Sequence, residues 1–208
     1  MDSSAVLFRT LPGIVNCGLW ENLPTTEGEA PLVLVTDLGN DIAFMRSPDT
    51  ILESVKECIR RIQDWRSDAR IVMTGLPLCS LKSLSPSRFL IARSVMFPRC
   101  HMSLDEIRSR AEALDQAAFQ FAQQHNIPWI IPQAEWYRLD PIHVIKSLRE
   151  QVFKQFFTHW NLPLVPEKGR PVLSVAGLPT SAMRTLCGVQ RRVPQPVFET
   201  PELMISAW

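Results

Sequence analysis

Pro31-Leu-Val-Leu-Val-Thr36 is an unbroken apolar run of strand length, and Arg70-Ile-Val-Met-Thr74 is a second one, a helix-length further along the chain. A strand with one wet face alternates apolar and polar residues, whereas a continuous run marks a strand buried on both faces, the habit of parallel sheets. Parallel neighbours cannot be joined by a tight turn, so a crossover must lie between them. The sequence supplies it over residues 48–65, with Ser47 as cap, Pro48 in the first turn, and Ile51, Val55, Cys58, Ile59 and Ile62 on one stripe.

The same alternation continues. The first run ends on Gly39-Asn40-Asp41 and the second is closed by Gly75 and Pro77. Ser103-Leu-Asp-Glu106 is a capping box, and Leu104, Ile107, Ala111, Leu114, Ala118 and Phe121 then keep helical spacing up to His125. Trp129-Ile-Ile131, between Pro128 and Pro132, predicts a third short strand. A last helix is predicted over 141–160 on Ile145, Leu148, Val152 and Phe156. The expected fold class is therefore α/β, a doubly wound, mainly parallel sheet with flanking helices, whose ligands sit beyond the carboxyl ends of the strands. Residues 76–102 carry little periodicity and are expected to be partly helical or to form a lid over a site. Residues 1–160 are read as one domain. Residues 161–208 hold seven of the seventeen prolines and are read as a C-terminal extension, with short strands at 171–175 and 203–207.

Composition removes several function classes. Twenty-two basic against 21 acidic residues give a net charge of +1, which offers no footprint for nucleic acid or an anionic membrane. Arg60-Arg61 and Arg191-Arg192 read as solvated faces. Cysteines at 17, 58, 79, 100 and 187 are odd in number and contain no C-x-x-C, which argues against a disulfide framework or a structural zinc and for a reducing compartment. The equal steps 58, 79, 100 share no flanking pattern and are no repeat. There is no apolar run of about 18 residues and no secretory start, so the expected location is cytoplasmic.

Two segments carry chemistry. Thr36-Asp37-Leu38-Gly39-Asn40-Asp41 leaves the first strand, and Asp140-Pro141-Ile142-His143 opens the last helix. An Asp three residues before a His can orient and charge-stabilise the imidazole, and an Asn at a strand exit can aim an amide donor into the same crevice. Alone, each has a plainer explanation: Asn-Asp is a common turn former, and Asp-Pro a common helix entry. Their joint placement at two strand exits points to acyl-transfer chemistry. His101 beside Cys100 lacks further ligands for a metal. His125 and His159 end helices, where a cation suits the dipole. The Trp residues at 65, 129, 136 and 160 read as packing, with Trp136 and Tyr137 placed to line a pocket.

From about residue 31 to 160 the order of parts resembles the SGNH, or GDSL-type, hydrolase superfamily. That family has a Gly-Asp-Ser turn after its first strand, a Gly after its second, a Gly-x-Asn-Asp turn after its third, and Asp-x-x-His before its last helix. Asn40-Asp41 match the third block, with Gly39 one residue later than usual and Leu38 in its place, and Asp140 and His143 match the last block. The N-terminus is similar to the first two blocks: Met1-Asp2-Ser3 stands for Gly-Asp-Ser, and Gly13-Ile-Val-Asn16-Cys-Gly18 for the second strand and its Asn-x-Gly ending. Glu21 stands where a further Gly is usual, so Gly18 or a rebuilt loop would supply that backbone donor.

The resemblance implies a flavodoxin-like layered sheet and a serine-dependent esterase with Ser3 as nucleophile, His143 as base, Asp140 as its partner and Asn40 as oxyanion donor. It implies no metal and no cofactor, and a small-molecule or carbohydrate ester as substrate. The strand that should precede Ser3 is absent from the sequence. Either translation begins upstream, the reading favoured by the intact pattern after Ser3, or the chain is a divergent remnant. The rival functions are a non-catalytic relative binding a carbohydrate, an acyl ligand or a protein in the same crevice, and an acyltransferase using the same triad.

Overall fold

A computed structural model describes residues 3–6, 9–24, 28–138, 140–162, 182–186, 189–200 and 204–208. Its strands, in chain order, are β1 (Ser3–Val6), β2 (Arg9–Pro12), β3 (Leu32–Val35), β4 (Arg70–Thr74), β5 (Trp129–Ile130), β6 (Met183–Leu186), β7 (Val189–Arg192), β8 (Phe198–Glu199) and β9 (Met204–Ile205). Its α-helices are α1 (Pro48–Trp65), α2 (Leu78–Ser83), α3 (Pro86–Met96), α4 (Leu104–Gln124) and α5 (Arg149–His159). The chain divides into two units. One joins Met1–Glu27 with Pro166–Trp208, and the other is Gly28–Val165. The division near 160 expected from the prolines is therefore close to the upper boundary, but the first 27 residues group with the C-terminal segment.

In the first unit β1, β2, β6 and β7 form an antiparallel sheet in that order, and β8 pairs with β9. Two expectations are corrected here. Ser3 does not follow a strand at a turn: it opens β1, with Pro12 of β2 as its antiparallel partner. The segment 13–18 is no strand. Ile14–Asn16 is a 3-10 turn closed by Asn16 N–H on Gly13 C=O, and the Ile14 carbonyl accepts from both the Cys17 thiol and Trp20 Nε1. Those contacts use polar groups that a ladder would need. A strand at 204–205 falls inside the expected 203–207, whereas 171–175 lies outside the described residues.

The second unit is α/β. Strands β3, β4 and β5 lie in that order, all parallel, with Leu34 opposite Val72 and Met73 opposite Trp129. Successive residues of β4 point to opposite faces, and Ile71, Val72, Met73 and Thr74 are all buried, so β4 is covered on both sides. The same expectation fails for β3, where Leu32 is 39% exposed and the next three residues are half-buried. The reason is position: β3 is an edge strand, with β4 as its one neighbour among the described residues.

The crossover helix forms as its sequence demands. Ser47 Oγ accepts from Thr50 N–H, Pro48 sits in the first turn, and the predicted stripe of α1 is wholly buried. Ser103 caps α4 in the same way. Helix α5 packs Val152, Phe156 and Trp160 on Val72 and Ile130. It is pinned where it ends, for Arg70 donates to the Trp160 carbonyl at 2.6 Å and Trp160 Nε1 donates to the Arg70 carbonyl at 2.9 Å. The helix predicted over 141–160 begins only at Arg149, with a 3-10 turn at Lys146–Leu148 before it.

The turn after β4 is fixed from α4. Gly75 N–H bonds Ile130 C=O, and a Cβ at Gly75 would lie 2.9 Å from the Asp115 carboxylate, which accepts from Leu76 N–H at 2.7 Å. Burial raises the Asp115 carboxyl pKa, opposed by the Leu76 N–H. A carboxyl raised on folding contributes fully to stability below its ordinary value of 3.8, and that contribution is lost as pH rises through the folded-state value. Asp115→Asn keeps an acceptor for Leu76 and carries no charge. Urea unfolding should therefore show the wild type losing stability relative to Asp115→Asn between about pH 4 and pH 7. Asp115→Ala, which strands a half-buried N–H, should cost about 1–3 kcal/mol at either pH.

Candidate functional site

Parallel strands release their chains at one edge of the sheet, and the second unit places three loops there: 36–40 after β3, 75–77 after β4 and 131–143 after β5. Thr74 Oγ1 donates to Thr36 Oγ1 at 3.0 Å, tying the first two exits together where the ladder ends. Asp37 then turns through a left-handed conformation, φ 61°, which Asp tolerates better than most residues. Asn40 opens a 3-10 turn, and its N–H closes on the Asp37 carbonyl at 3.3 Å. Its exposed carboxamide has no hydrogen-bond partner among the described residues. A Cβ at Gly39 would come within 2.9 Å of Leu76, so the glycine lets the two exits approach.

On the third loop, Asp140 folds the chain around its own carboxylate. Oδ1 accepts from Ile142 N–H at 3.0 Å and His143 N–H at 3.2 Å, while Oδ2 meets His143 Nδ1 at 2.6 Å. Nε2 has no partner among the described residues. Burial acts to raise the Asp140 pKa, but it is outweighed by the Ile142 N–H, the His143 ring and the His143 N–H, which together hold the carboxyl below its ordinary value. The pair can therefore present an imidazole with one fixed tautomer and a carboxylate behind it.

Asn40, Asp140 and His143 all line one cavity of about 600 Å³ in this unit. Trp136 and Tyr137 line it too, as their position ahead of Asp140 suggested. Ser3 belongs to the first unit, in β1.

Sequence reasoning missed Asp37 as a member of the site. It lines the same cavity, and its carboxyl pKa is raised, first by burial, with the His143 charge opposing. Tyr137 is pushed up to about 12 by its burial and then by Asp37 and Cys79. No local pattern marks Asp37, because its meeting with His143 spans the whole parallel sheet. Among the described residues no group of three or more His, Cys, Asp or Glu is placed to hold a metal ion. Nor is any helix among them long and apolar enough to cross a membrane. Cys17, Cys58, Cys79 and Cys100 are thiols rather than disulfides, and all but Cys79 are buried. The chain matches no family model, no curated protein and no solved structure.

Because its folded-state pKa lies below 3.8, Asp140 gives stability that is present above that value and lost as pH falls through the lowered one. Asp140→Ala should cost about 0.5–2 kcal/mol near neutral pH, the range of a helix-capping carboxylate. Thermal melts should show the gap to wild type closing below about pH 4.

Proposed function

We propose that the chain is an SGNH-like hydrolase that cleaves an ester or acetyl group. The observation that carries this reading is the convergence of the Asp140–His143 pair and the Asn40 carboxamide on one cavity at the carboxyl edge of a parallel sheet. Supporting it, the strand, the Asn40 turn and the Asp-x-x-His segment follow in the order of the family, within the three-stranded parallel sheet of the second unit.

On this reading a serine hydroxyl, which the sequence resemblance assigns to Ser3, attacks the acyl carbonyl, the His143 imidazole acts as the base that takes the proton and returns it to the leaving alcohol, and water then repeats the cycle on the acyl-enzyme. Asp140 holds the tautomer and stabilises the imidazolium. Asn40 donates to the oxyanion, a single contact whose loss commonly raises the barrier by about 3–4 kcal/mol. No metal or cofactor takes part in this scheme. A cytoplasmic setting suits the reduced cysteines at 17, 58, 79 and 100.

A second reading is favoured by one observation: Ser3 lies within an antiparallel strand rather than at a strand-to-helix turn. It is that of a binding protein using the same cavity without a nucleophile. Transfer of the acyl group to a sugar hydroxyl in place of water uses the same residues and is told apart by its products.

The test is turnover of p-nitrophenyl acetate together with labelling by a fluorophosphonate. His143→Ala is expected to lower kcat/KM by about 10³–10⁴-fold, and Asn40→Ala by about 10²–10³-fold, with unchanged circular dichroism. The probe should label Ser3 in the wild type and not in His143→Ala. Full esterase activity in His143→Ala refutes the triad, and an unlabelled, inactive wild type establishes the binding protein.

A further inference from the structure

We propose that the cavity beside His143 is an acyl-chain pocket, so that the substrate is the ester of a medium-length fatty acid rather than an acetyl ester. This deepens the hydrolase reading and rests on it. An acetyl group offers the cavity one methyl, yet the space is about 600 Å³, well inside the range of about 300–1,000 Å³ typical of sites that engulf whole small molecules.

Most of the polarity of the lining lies in one part of it. The exits 36–40 and 137–143 bring Asp37, Asn40, Asp140 and His143, whereas the walls from α3, α4 and α5 bring Phe89, Ala92, Ile107, Val152 and Phe156. Away from those exits the polar side chains in the lining are Thr74, Arg93, Cys100, Trp136 and Arg149. Thr74 is bonded to Thr36. Arg93 donates to Met102 C=O at 2.9 Å and lies over the Phe89 ring at 5.7 Å, and Arg149 donates to Val144 C=O at 3.4 Å. A sugar needs hydrogen-bond partners around its whole ring, and a phosphate needs cations converging on one point, whereas Arg93 and Arg149 are held on carbonyls of different segments, Met102 and Val144. An alkyl chain needs only apolar walls, and these share the cavity with His143, the base of the proposed scheme.

The experiment measures kcat/KM of the full chain on p-nitrophenyl acetate, butyrate, hexanoate and octanoate. Calorimetric binding of octan-1-ol is measured beside it, the alcohol being uncharged and so not repelled by Asp37 and Asp140. Each added methylene is expected to raise kcat/KM about three- to fourfold, the equivalent of about 0.8 kcal/mol per buried methylene. Octan-1-ol should bind both the wild type and His143→Ala. Ala92→Phe, which fills the wall from α3, should lower the octanoate-to-acetate ratio tenfold or more and weaken octan-1-ol binding likewise.

A flat or falling chain-length series with no octan-1-ol bound overturns the acyl pocket and leaves the hydrolase reading standing. Octan-1-ol bound by the wild type and blocked in Ala92→Phe, with every ester untouched, upholds the pocket and removes the hydrolase. Neither turnover nor binding defeats both. The wild-type series and the binding measurement decide the matter even if Ala92→Phe does not fold.

Discussion

The parallel ladder of β3, β4 and β5 is the constraint on which the second unit depends. Strands that run the same way cannot be joined by hairpins, so every connection returns across the sheet and every exit emerges at the same edge. That is why 36–40, 75–77 and 131–143, distant in sequence, become neighbours. The ladder holds because β4 is buried on both faces, and the Arg70–Trp160 exchange fastens α5 to the start of the same strand. The indole bond is worth about 1 kcal/mol in net stability and the guanidinium bond about 1.5–3 kcal/mol, whereas burying Val, Met and Trp side chains together is worth more than both, at about 1.5–3 kcal/mol for each aliphatic one alone. Burial thus supplies the stability, and the paired bonds fix where α5 ends.

At the exits, short-range geometry takes over. Asp140 spends one carboxylate oxygen on two backbone N–H groups and the other on the imidazole, so the Asp-x-x-His spacing leaves the ring little choice of orientation. Yet no helix starts at Pro141. Although Asp140 accepts from Ile142 and His143 as a helix cap would, a helix from Pro141 needs Ile145 N–H on the Pro141 carbonyl, and that N–H reaches back to the Trp136 carbonyl at 2.8 Å instead; helical geometry begins at Lys146 as a 3-10 turn and at Arg149 as α5.

What could be read from the sequence was what is decided locally. Ser47, Pro48 and Ser103 mark helix starts because a cap acts on the next three residues, and the stripe of α1 matches its buried side residue for residue. The run at 70–74 declared a strand buried on both faces, and β4 is one. Residues 76–102 are partly helical, as expected, but the bounds of α3 were not legible because Phe89 is buried while Leu90 and Ile91, beside it, are exposed, which leaves no one-sided stripe to detect. The β1–β2 hairpin carries no Asn-Gly or Gly-rich turn between its strands, so the usual local signal is missing. Of the site, Asn40, Asp140 and His143 were legible as motifs. Asp37 was not, since its role comes from a neighbour a hundred residues away.

Asp37 changes the electrostatics of the site in a way the motif alone does not convey. His143 bears on two carboxylates, and their surroundings push them in opposite directions: backbone N–H donors and the ring hold Asp140 down, while desolvation, with no hydrogen-bond donor among the described residues, raises Asp37. Groups separated in this way take different tasks. Asp140 is the carboxylate that stays ionised behind the ring and compensates an imidazolium. On the proposed reading Asp37 differs from Asp140 in carrying no orienting bond to the ring: it lines the cavity, and an apolar substrate that removes water from that cavity adds to the desolvation that already raises its carboxyl. Occupation of the apolar walls therefore bears first on Asp37, rather than on the pair that the sequence announces.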